Sequence, residues 1–118
     1  MNFKLGVRSK FWLEDESGLP VFGGGRGRIL EKIDELGSIR AAAADMKMSY
    51  RAVWGKIKTT EERLGIKLVE TSPGGGRNRG ARLTPAAREL LALFRELHQQ
   101  GNEQADRLFN RLFTKWKT

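Results

Sequence analysis

The sequence predicts a mainly α-helical fold with a small β component, and three stretches carry that prediction. Residues 38–65 contain two successive amphipathic patterns of helical period, separated by a very short connection. Residues 66–84 contain two short β-type runs on either side of a glycine-rich loop. From Thr84 onward, one apolar stripe of helical period runs almost to the end of the chain. With 118 residues, we expect one domain over residues 1–83 and a C-terminal helix over residues 84–118 that belongs to the same structural unit.

The N-terminal residues predict a β-hairpin. Apolar and polar residues alternate over 3–8, and a bulkier run over 11–13 leads into the acidic, turn-forming segment 14–18. Residues 19–22 then supply a short returning strand. We expect this hairpin either to cover one side of the domain or to join a partner chain.

A glycine-rich segment, GGGRG at 23–27, follows the hairpin. It lacks both the GxxxxGK[ST] pattern and the GxGxxG spacing inside a strand-to-helix unit, so a phosphate-binding loop is disfavoured. We interpret it as the flexible entry to a helix from about Gly25 to Leu36, with Gly37 at the position that follows the helix end. The predicted apolar face of that helix consists of Ile29, Leu30, Ile33 and Leu36.

Ser38 is a suitable N-cap for a short helix whose apolar residues recur at the spacing of one helix face. Those residues are Ile39, Ala42, Ala43 and Met46. Because this face is mostly alanine, a neighbouring helix can approach it closely. The chain then turns at Lys47 and Met48, and Ser49 offers the N-cap of a second helix.

The second helix has an apolar back and a basic front. Its expected buried stripe falls within a narrow arc at 100° per residue and consists of Val53, Ile57, Thr60 and Leu64. The opposite face carries Arg51, Trp54, Gly55 and Lys58. The first turn presents Ser49 and Tyr50, and no acidic residue interrupts this surface before Glu61.

A basic helix that directly follows a short turn from a small-residue helix is typical of a helix-turn-helix, which places the start of its second helix in the DNA major groove. Arg51 suits a bidentate contact with guanine, whereas Lys58 suits a backbone phosphate. Ser49 and Tyr50 are expected to reach a phosphate or a base edge. The competing interpretation of this charge is an ordinary solvated helix surface.

Two members of the same face are open to two interpretations each. A glycine within a helix costs about 1 kcal/mol relative to alanine. Gly55 therefore indicates close approach, either of nucleic acid or of another helix. Trp54 either contacts DNA or covers the edge of the core.

The charge of the chain is concentrated in two windows. There are 22 Lys and Arg residues against 14 Asp and Glu, a formal net charge of +8. Residues 46–60 and residues 71–88 each hold four basic residues and no acidic residue, while the remainder is balanced. These two segments indicate an electrostatic footprint for a polyanion.

The region after Gly65 predicts two strands joined by a protruding basic loop, with strands over 66–72 and 81–84 and a glycine-rich loop over 73–80. Beside a helix-turn-helix, such a hairpin is a wing, so the predicted fold is a winged helix-turn-helix. Flexible arginines in the loop suit a minor groove or a line of phosphates, and the alternative is a solvated loop. The expected DNA contacts are Ser38, Arg40, Ser49, Tyr50, Arg51, Trp54, Lys58, Arg77, Asn78, Arg79 and Arg82.

Thr84 followed by Pro85 is a strong helix start. A continuous helix from Pro85 to Lys115 would span about 45 Å, longer than so small a core covers. Alternatively, Gly101 and Asn102 end one helix and cap the next. In either case, a second copy of the chain is the simplest cover for the exposed apolar residues, so we expect a homodimer. The expected dimer contacts are Leu90, Phe94, Leu97, Leu108, Phe109, Leu112, Phe113 and Trp116.

The composition argues against several other classes. Cysteine is absent, which excludes disulfides and thiolate chemistry, and a single histidine with dispersed acids gives no metal cluster and no paired nucleophile and base. No apolar run is long enough for a signal peptide or a membrane span. We therefore expect a cytoplasmic protein that is not an enzyme, binds no cofactor or metal and does not associate with membranes.

The segment from Ser38 to Leu91 resembles the winged helix-turn-helix domain of LysR-type regulators and, more closely, the N-terminal domain of ModE-type molybdate-responsive regulators. Residues 49–52, Ser-Tyr-Arg-Ala, followed by Trp54, are similar to the ModE pattern at the second helix. The glycine-rich wing, residues 74–80, is also similar to ModE. The pairs Leu64-Gly65 and Leu83-Thr84 are shared with LysR types.

The resemblance implies a dimeric transcriptional regulator that binds double-stranded DNA, with the residues of the second helix on the reading surface. ModE-type proteins continue into molybdate-binding domains, whereas this sequence ends after one linker-type helix, so no molybdate is expected as a ligand. Two rival classes remain open. One is a winged-helix protein-interaction adaptor that uses the apolar C-terminal helix, and the other is an RNA-binding or non-specific nucleic-acid-binding protein.

Overall fold

The computed structural model describes residues 4–72 and 80–116, and the predicted fold class is confirmed. The described residues form one antiparallel two-stranded sheet, three successive helices, a second antiparallel two-stranded sheet and a long fourth helix. The elements in chain order are β1 (Trp12–Glu14), β2 (Pro20–Gly23), α1 (Gly24–Leu36), α2 (Ile39–Asp45), α3 (Tyr50–Leu64), β3 (Val69–Thr71), β4 (Ala81–Leu83) and α4 (Pro85–Phe113). No helix in the described ranges combines the length and apolarity that crossing a lipid bilayer requires.

One hydrophobic core joins the first three helices, both sheets and the start of α4. Ile33 from α1, Ala42 from α2 and Val53 from α3 are fully enclosed, and Phe22 from β2 lies beside them. The alanines of α2 allow the close packing that the sequence indicates. Leu36, predicted to share the buried face of α1, is exposed instead, because it lies in the last turn before the chain leaves the helix at Gly37.

The predicted helix starts are confirmed at Ser38, Ser49 and Thr84. Each hydroxyl oxygen accepts a hydrogen bond from the backbone N–H three residues later. This bond satisfies one of the N–H groups that a helix start leaves unpaired. The short turn between α2 and α3 passes through Lys47, whose φ of 57° is left-handed.

The N-terminal hairpin forms, but its first strand lies later than predicted. Residues 4–11 form no strand, and β1 begins at Trp12, where it pairs with β2. The segment before β1 runs against α4 instead. The Ser9 hydroxyl donates to the Asn102 side chain, and the Phe11 ring packs edge-on against His98.

The two wing strands pair in the register Val69 with Leu83, Glu70 with Arg82 and Thr71 with Ala81. The connecting residues 73–79 lie outside the described residues. The base of the wing is tied to the start of α4, because Thr84 donates its backbone N–H to the Leu68 carbonyl at 2.9 Å and its hydroxyl to the Lys67 carbonyl at 2.7 Å.

Helix α4 is continuous, so Gly101 and Asn102 do not divide it. A Cβ at position 101 would overlap the Phe11 ring, which shows that the glycine makes room for the N-terminal segment. Ala87, Leu91 and Phe94 in the first half of α4 are buried against the core, whereas the last turns are exposed.

Candidate nucleic-acid interface

The front of α3 faces solvent because its back is fixed in the core. Val53, Ile57 and Thr60 are buried, as predicted, while Arg51 is exposed and Trp54 keeps 44% of its surface exposed. The back thus sets the direction in which the front projects. This arrangement presents the first turns of α3 as an exposed, basic ridge.

The polar side chains at the starts of α2 and α3 already have partners within the chain. The oxygens of Ser38 and Ser49 already accept capping hydrogen bonds, at 2.9 and 3.0 Å, so each hydroxyl has its proton left to donate outward. Tyr50 is half-buried and packs against the core. The guanidinium carbon of Arg40 lies 5.5 Å from the centre of the Tyr50 ring, which brings α2 and the start of α3 into one surface.

Lys58 has partners within the chain. Its ammonium lies 3.2 Å from a carboxylate oxygen of Glu61 and 5.4 Å from the centre of the Trp54 ring. Trp54 thus stands on the exposed face beside a cation, rather than at the edge of the core. Any phosphate contact by Lys58 competes with the Glu61 carboxylate.

Glu61 is a structural residue that the sequence analysis did not identify. One carboxylate oxygen accepts the backbone N–H groups of Leu68 and Val69, at 2.7 and 3.2 Å, and so joins the end of α3 to the wing. Partial burial alone would raise the pKa of Glu61, but these two hydrogen bonds and Lys58 outweigh it and hold the pKa below its ordinary value. The contacts join positions seven and eight residues apart that no periodic pattern connects.

Gly55 lies among the exposed side chains of α3. Apart from its chain neighbours and the adjacent backbone of α3, no atom of the described residues lies within 4 Å of the position that a Cβ of Gly55 would take. Packing against another helix of the same chain therefore does not explain this glycine. The Thr59 hydroxyl donates to the Gly55 carbonyl at 2.9 Å, so that backbone oxygen already has a partner.

Part of the positive charge in the two basic windows is compensated from elsewhere in the fold. Arg82 lies 3.3 Å from Glu70 on the neighbouring strand, and Arg88 lies 3.0 Å from Asp34 of α1. The wing residues Arg77, Asn78 and Arg79 lie outside the described residues. In the described part of the two windows, the exposed cations that form no ion pair are Lys47, Arg51 and Lys56, and the neighbouring Arg40 of α2 is likewise exposed and forms none.

The predicted dimer contacts differ in how far the chain itself buries them. Phe94 is buried and packs edge-on against Phe22 at 5.2 Å, and Leu90 is half-buried against the same core. Both residues complete the fold of the single chain, so the dimer surface considered below omits them. Phe109 stacks on Phe113 at 4.7 Å and is half-buried. The exposed members are Leu97, Leu108, Leu112, Phe113 and Trp116.

The helix pair, the strand pair that follows it and the exposed basic ridge define a winged helix-turn-helix protein. The family model for bacterial regulatory helix-turn-helix proteins of the lysR family matches residues 26–88. The chain belongs to that family.

Relatives and solved structures agree with this assignment. The chain is 40% identical over 75 residues to the molybdenum transport protein ModE of Herbaspirillum seropedicae, covering 64% of this chain and 28% of that protein. The fold is similar to ArgP from Mycobacterium tuberculosis, with a TM-score of 0.51 and 29% identity over 72% of this chain and 30% of that one. It is also similar to the CbnR DBD in its complex with DNA, with a TM-score of 0.57 and 24% identity over 75% of this chain and 95% of that one. The chain spans less than a third of the length of the curated relatives it matches.

Proposed function

We propose that this chain is a sequence-specific DNA-binding transcriptional regulator that acts in the cytoplasm as a homodimer on a pseudo-palindromic site. The start of α3 enters the major groove, where Arg51 contacts a guanine and the hydroxyl protons of Ser38 and Ser49 reach phosphates. Arg40 and Tyr50 border the groove, and Lys58 adds a phosphate contact when it leaves Glu61.

The observation that carries this proposal is the position of Arg51. It projects from the first turn of a capped helix whose opposite face packs into the core, and no acidic group pairs with it in the described part of the chain. A long cation held in this way has no structural task within the domain. Its position on the second helix of a helix-turn-helix matches the geometry of a major-groove contact.

The wing supplies contacts outside the major groove. We assign Arg77, Asn78 and Arg79 to the backbone or the adjacent minor groove, which attracts arginine where it is narrow. Arg82 is a weaker contributor, because Glu70 offsets its charge at 3.3 Å. We expect such contacts to raise affinity for all duplexes without selecting among them.

The second half of α4 pairs two copies of the chain. Leu108, Leu112, Phe113 and Trp116 expose a large apolar area at one end of an elongated molecule. Contiguous apolar surface of this kind marks an interaction site, and a twofold pair of identical helices is the commonest way to cover it. The pair would present two copies of α3 to successive major grooves.

The same apolar end supports a second candidate function, a protein-interaction adaptor that uses α4 to bind another protein. The likeness to ModE covers less than a third of that relative, so molybdate binding forms no part of either proposal.

Selection of bound duplexes from a random DNA pool at about 0.15 M salt tests the proposal, because purely electrostatic binding is already weak there. We expect an enriched palindrome whose half-sites lie one helical turn apart. Recovery of duplexes without a shared motif would favour a non-specific nucleic-acid-binding protein. Recovery of none would favour the adaptor.

A further inference from the structure

The described helices contain five glycines. Gly24 and Gly25 lie in the first turn of α1, and the structure explains two of the other three. A Cβ at Gly27 would meet Phe22 and Leu91 at ordinary contact distance, which fits a close-packed interior position. A Cβ at Gly101 would overlap the Phe11 ring. Gly55 is different, because a Cβ there would meet open space.

A glycine in the middle of a helix weakens that helix, because it loses more conformational freedom on folding than alanine does. At Gly55, no close contact within the described residues requires the absence of a Cβ. The position lies on the basic front of α3, next to Arg51 along one helix row and close to Trp54 and Lys58. The missing side chain therefore leaves a depression with long side chains around it.

We infer that Gly55 is the point of closest approach between α3 and duplex DNA, and that the absence of a side chain there sets how deeply the helix enters the groove. This inference rests on the proposed function and identifies a positioning residue within it. The depression exposes α-carbon hydrogens, and its carbonyl is already engaged by Thr59. It therefore suits an apolar part of the duplex, a deoxyribose or a thymine methyl group, rather than a phosphate oxygen.

The inference predicts opposite changes in two measurements on the full chain. Gly55→Ala should raise the melting temperature by about 4 °C, because alanine is the better helix former and the added methyl group meets no atom beyond the adjacent part of α3. The same substitution should weaken binding to the selected duplex about 10-fold. Gly55→Leu should weaken it about 100-fold or more, because the larger side chain holds the helix farther from the base pairs.

Gly25→Ala is the matched control. Gly25 also lies in a helix with open space around the added Cβ, but it belongs to the first turn of α1 rather than to the front of α3. We expect this variant to gain stability and to keep its DNA affinity.

The outcomes separate this inference from the proposed function. A wild-type chain that selects a duplex, together with a Gly55→Ala variant of equal affinity, would overturn the inference and leave the proposed function standing. A wild-type chain that selects no duplex would overturn both. Size-graded loss of affinity at position 55, with no loss for Gly25→Ala, would support the inference, since a purely structural role predicts no loss in a more stable variant.

Discussion

The front of α3 and the end of α4 are both exposed, but they differ in what lies behind them and in what they present. The front of α3 is basic and is backed by core residues along most of its length. The end of α4 is apolar and projects beyond the core, with Leu112 62% exposed. One surface is rigidly held and charged, and the other continues the buried face of its own helix into solvent.

This difference indicates two kinds of partner. A fixed array of cations recognises a partner with fixed anionic geometry, as duplex DNA has. An apolar helix end is stabilised only when another apolar surface covers it. We therefore expect that a mutation on one surface impairs binding to its own partner and leaves the other surface intact.

The largest effect is expected at the end of α4. Leu112→Asp should convert the dimer to a monomer and weaken binding to a complete palindrome about 100-fold, because two linked half-sites bind far more tightly than one. Light scattering would report the oligomeric state, and titration of full-site and half-site duplexes the affinities. Leu19→Asp, at another exposed leucine, in the hairpin turn, is the control. A Leu112→Asp chain that stays dimeric would show that α4 does not form the interface.

The next effect is expected on the front of α3. Arg51→Ala should reduce discrimination between the selected duplex and random DNA by about 1–3 kcal/mol, the worth of one bidentate base contact. Competition titrations at fixed salt would measure it. Arg28→Ala, at an exposed arginine of α1, should leave the ratio unchanged. Equal ratios of selected-duplex to random-DNA affinity for wild type and Arg51→Ala would contradict the assignment of α3 as the helix that reads the base sequence.

A smaller effect is expected at Thr84, where the base of the wing meets the start of α4. Thr84 caps α4 and donates to the Lys67 carbonyl, so Thr84→Ala should lower the free energy of unfolding by about 1–2 kcal/mol. Urea denaturation measures this change. Thr84→Ser keeps the hydroxyl and should lose less than half as much. A loss of equal size in both variants would assign the effect to the methyl group instead.

The smallest effect is a pH dependence of stability that arises from Glu61, near the end of α3. The folded pKa of Glu61 lies below its unfolded value, so its contribution to stability is complete above the unfolded pKa and is lost as the pH falls through the folded one. We expect wild type to lose stability in this acidic range and Glu61→Gln to show a flatter profile. Glu62→Gln, an exposed neighbour, should follow wild type. Identical profiles for all three chains would exclude Glu61 as the source.

The sequence predicts the parts of this fold that local chemistry determines. Ser38, Ser49 and Thr84 are helix starts because each side chain bonds to a backbone group three residues away, and residue type and spacing suffice to detect that. The buried stripe of α3 follows in the same way from helical period. The front of α3 could be predicted because it is the complement of that stripe.

Contacts between distant segments could not be predicted from the sequence. The alternation over residues 3–8 has the period of a strand, but residues 4–11 run against α4 instead, where Ser9 and Phe11 find their partners. Gly101 had the appearance of a helix break, because its reason for being small, the Phe11 ring, lies ninety residues away. The acids that compensate Arg82 and Arg88 are hidden from a charge count for the same reason.

The contact between the Phe11 ring and Gly101 has a mechanical consequence for the proposed dimer. Helix α4 is about 43 Å long, so a 10° tilt at Thr84 alone would displace its far end by about 7 Å. The contact at Gly101 holds α4 at a second point, beyond which only about 18 Å of the helix extends. A 10° tilt about this point would move the far end by only about 3 Å. In the proposed dimer, the distance between the two copies of α3 would therefore depend on an aromatic ring near the opposite end of the chain. Larger residues at position 101 are expected only in chains whose residue 11 is smaller.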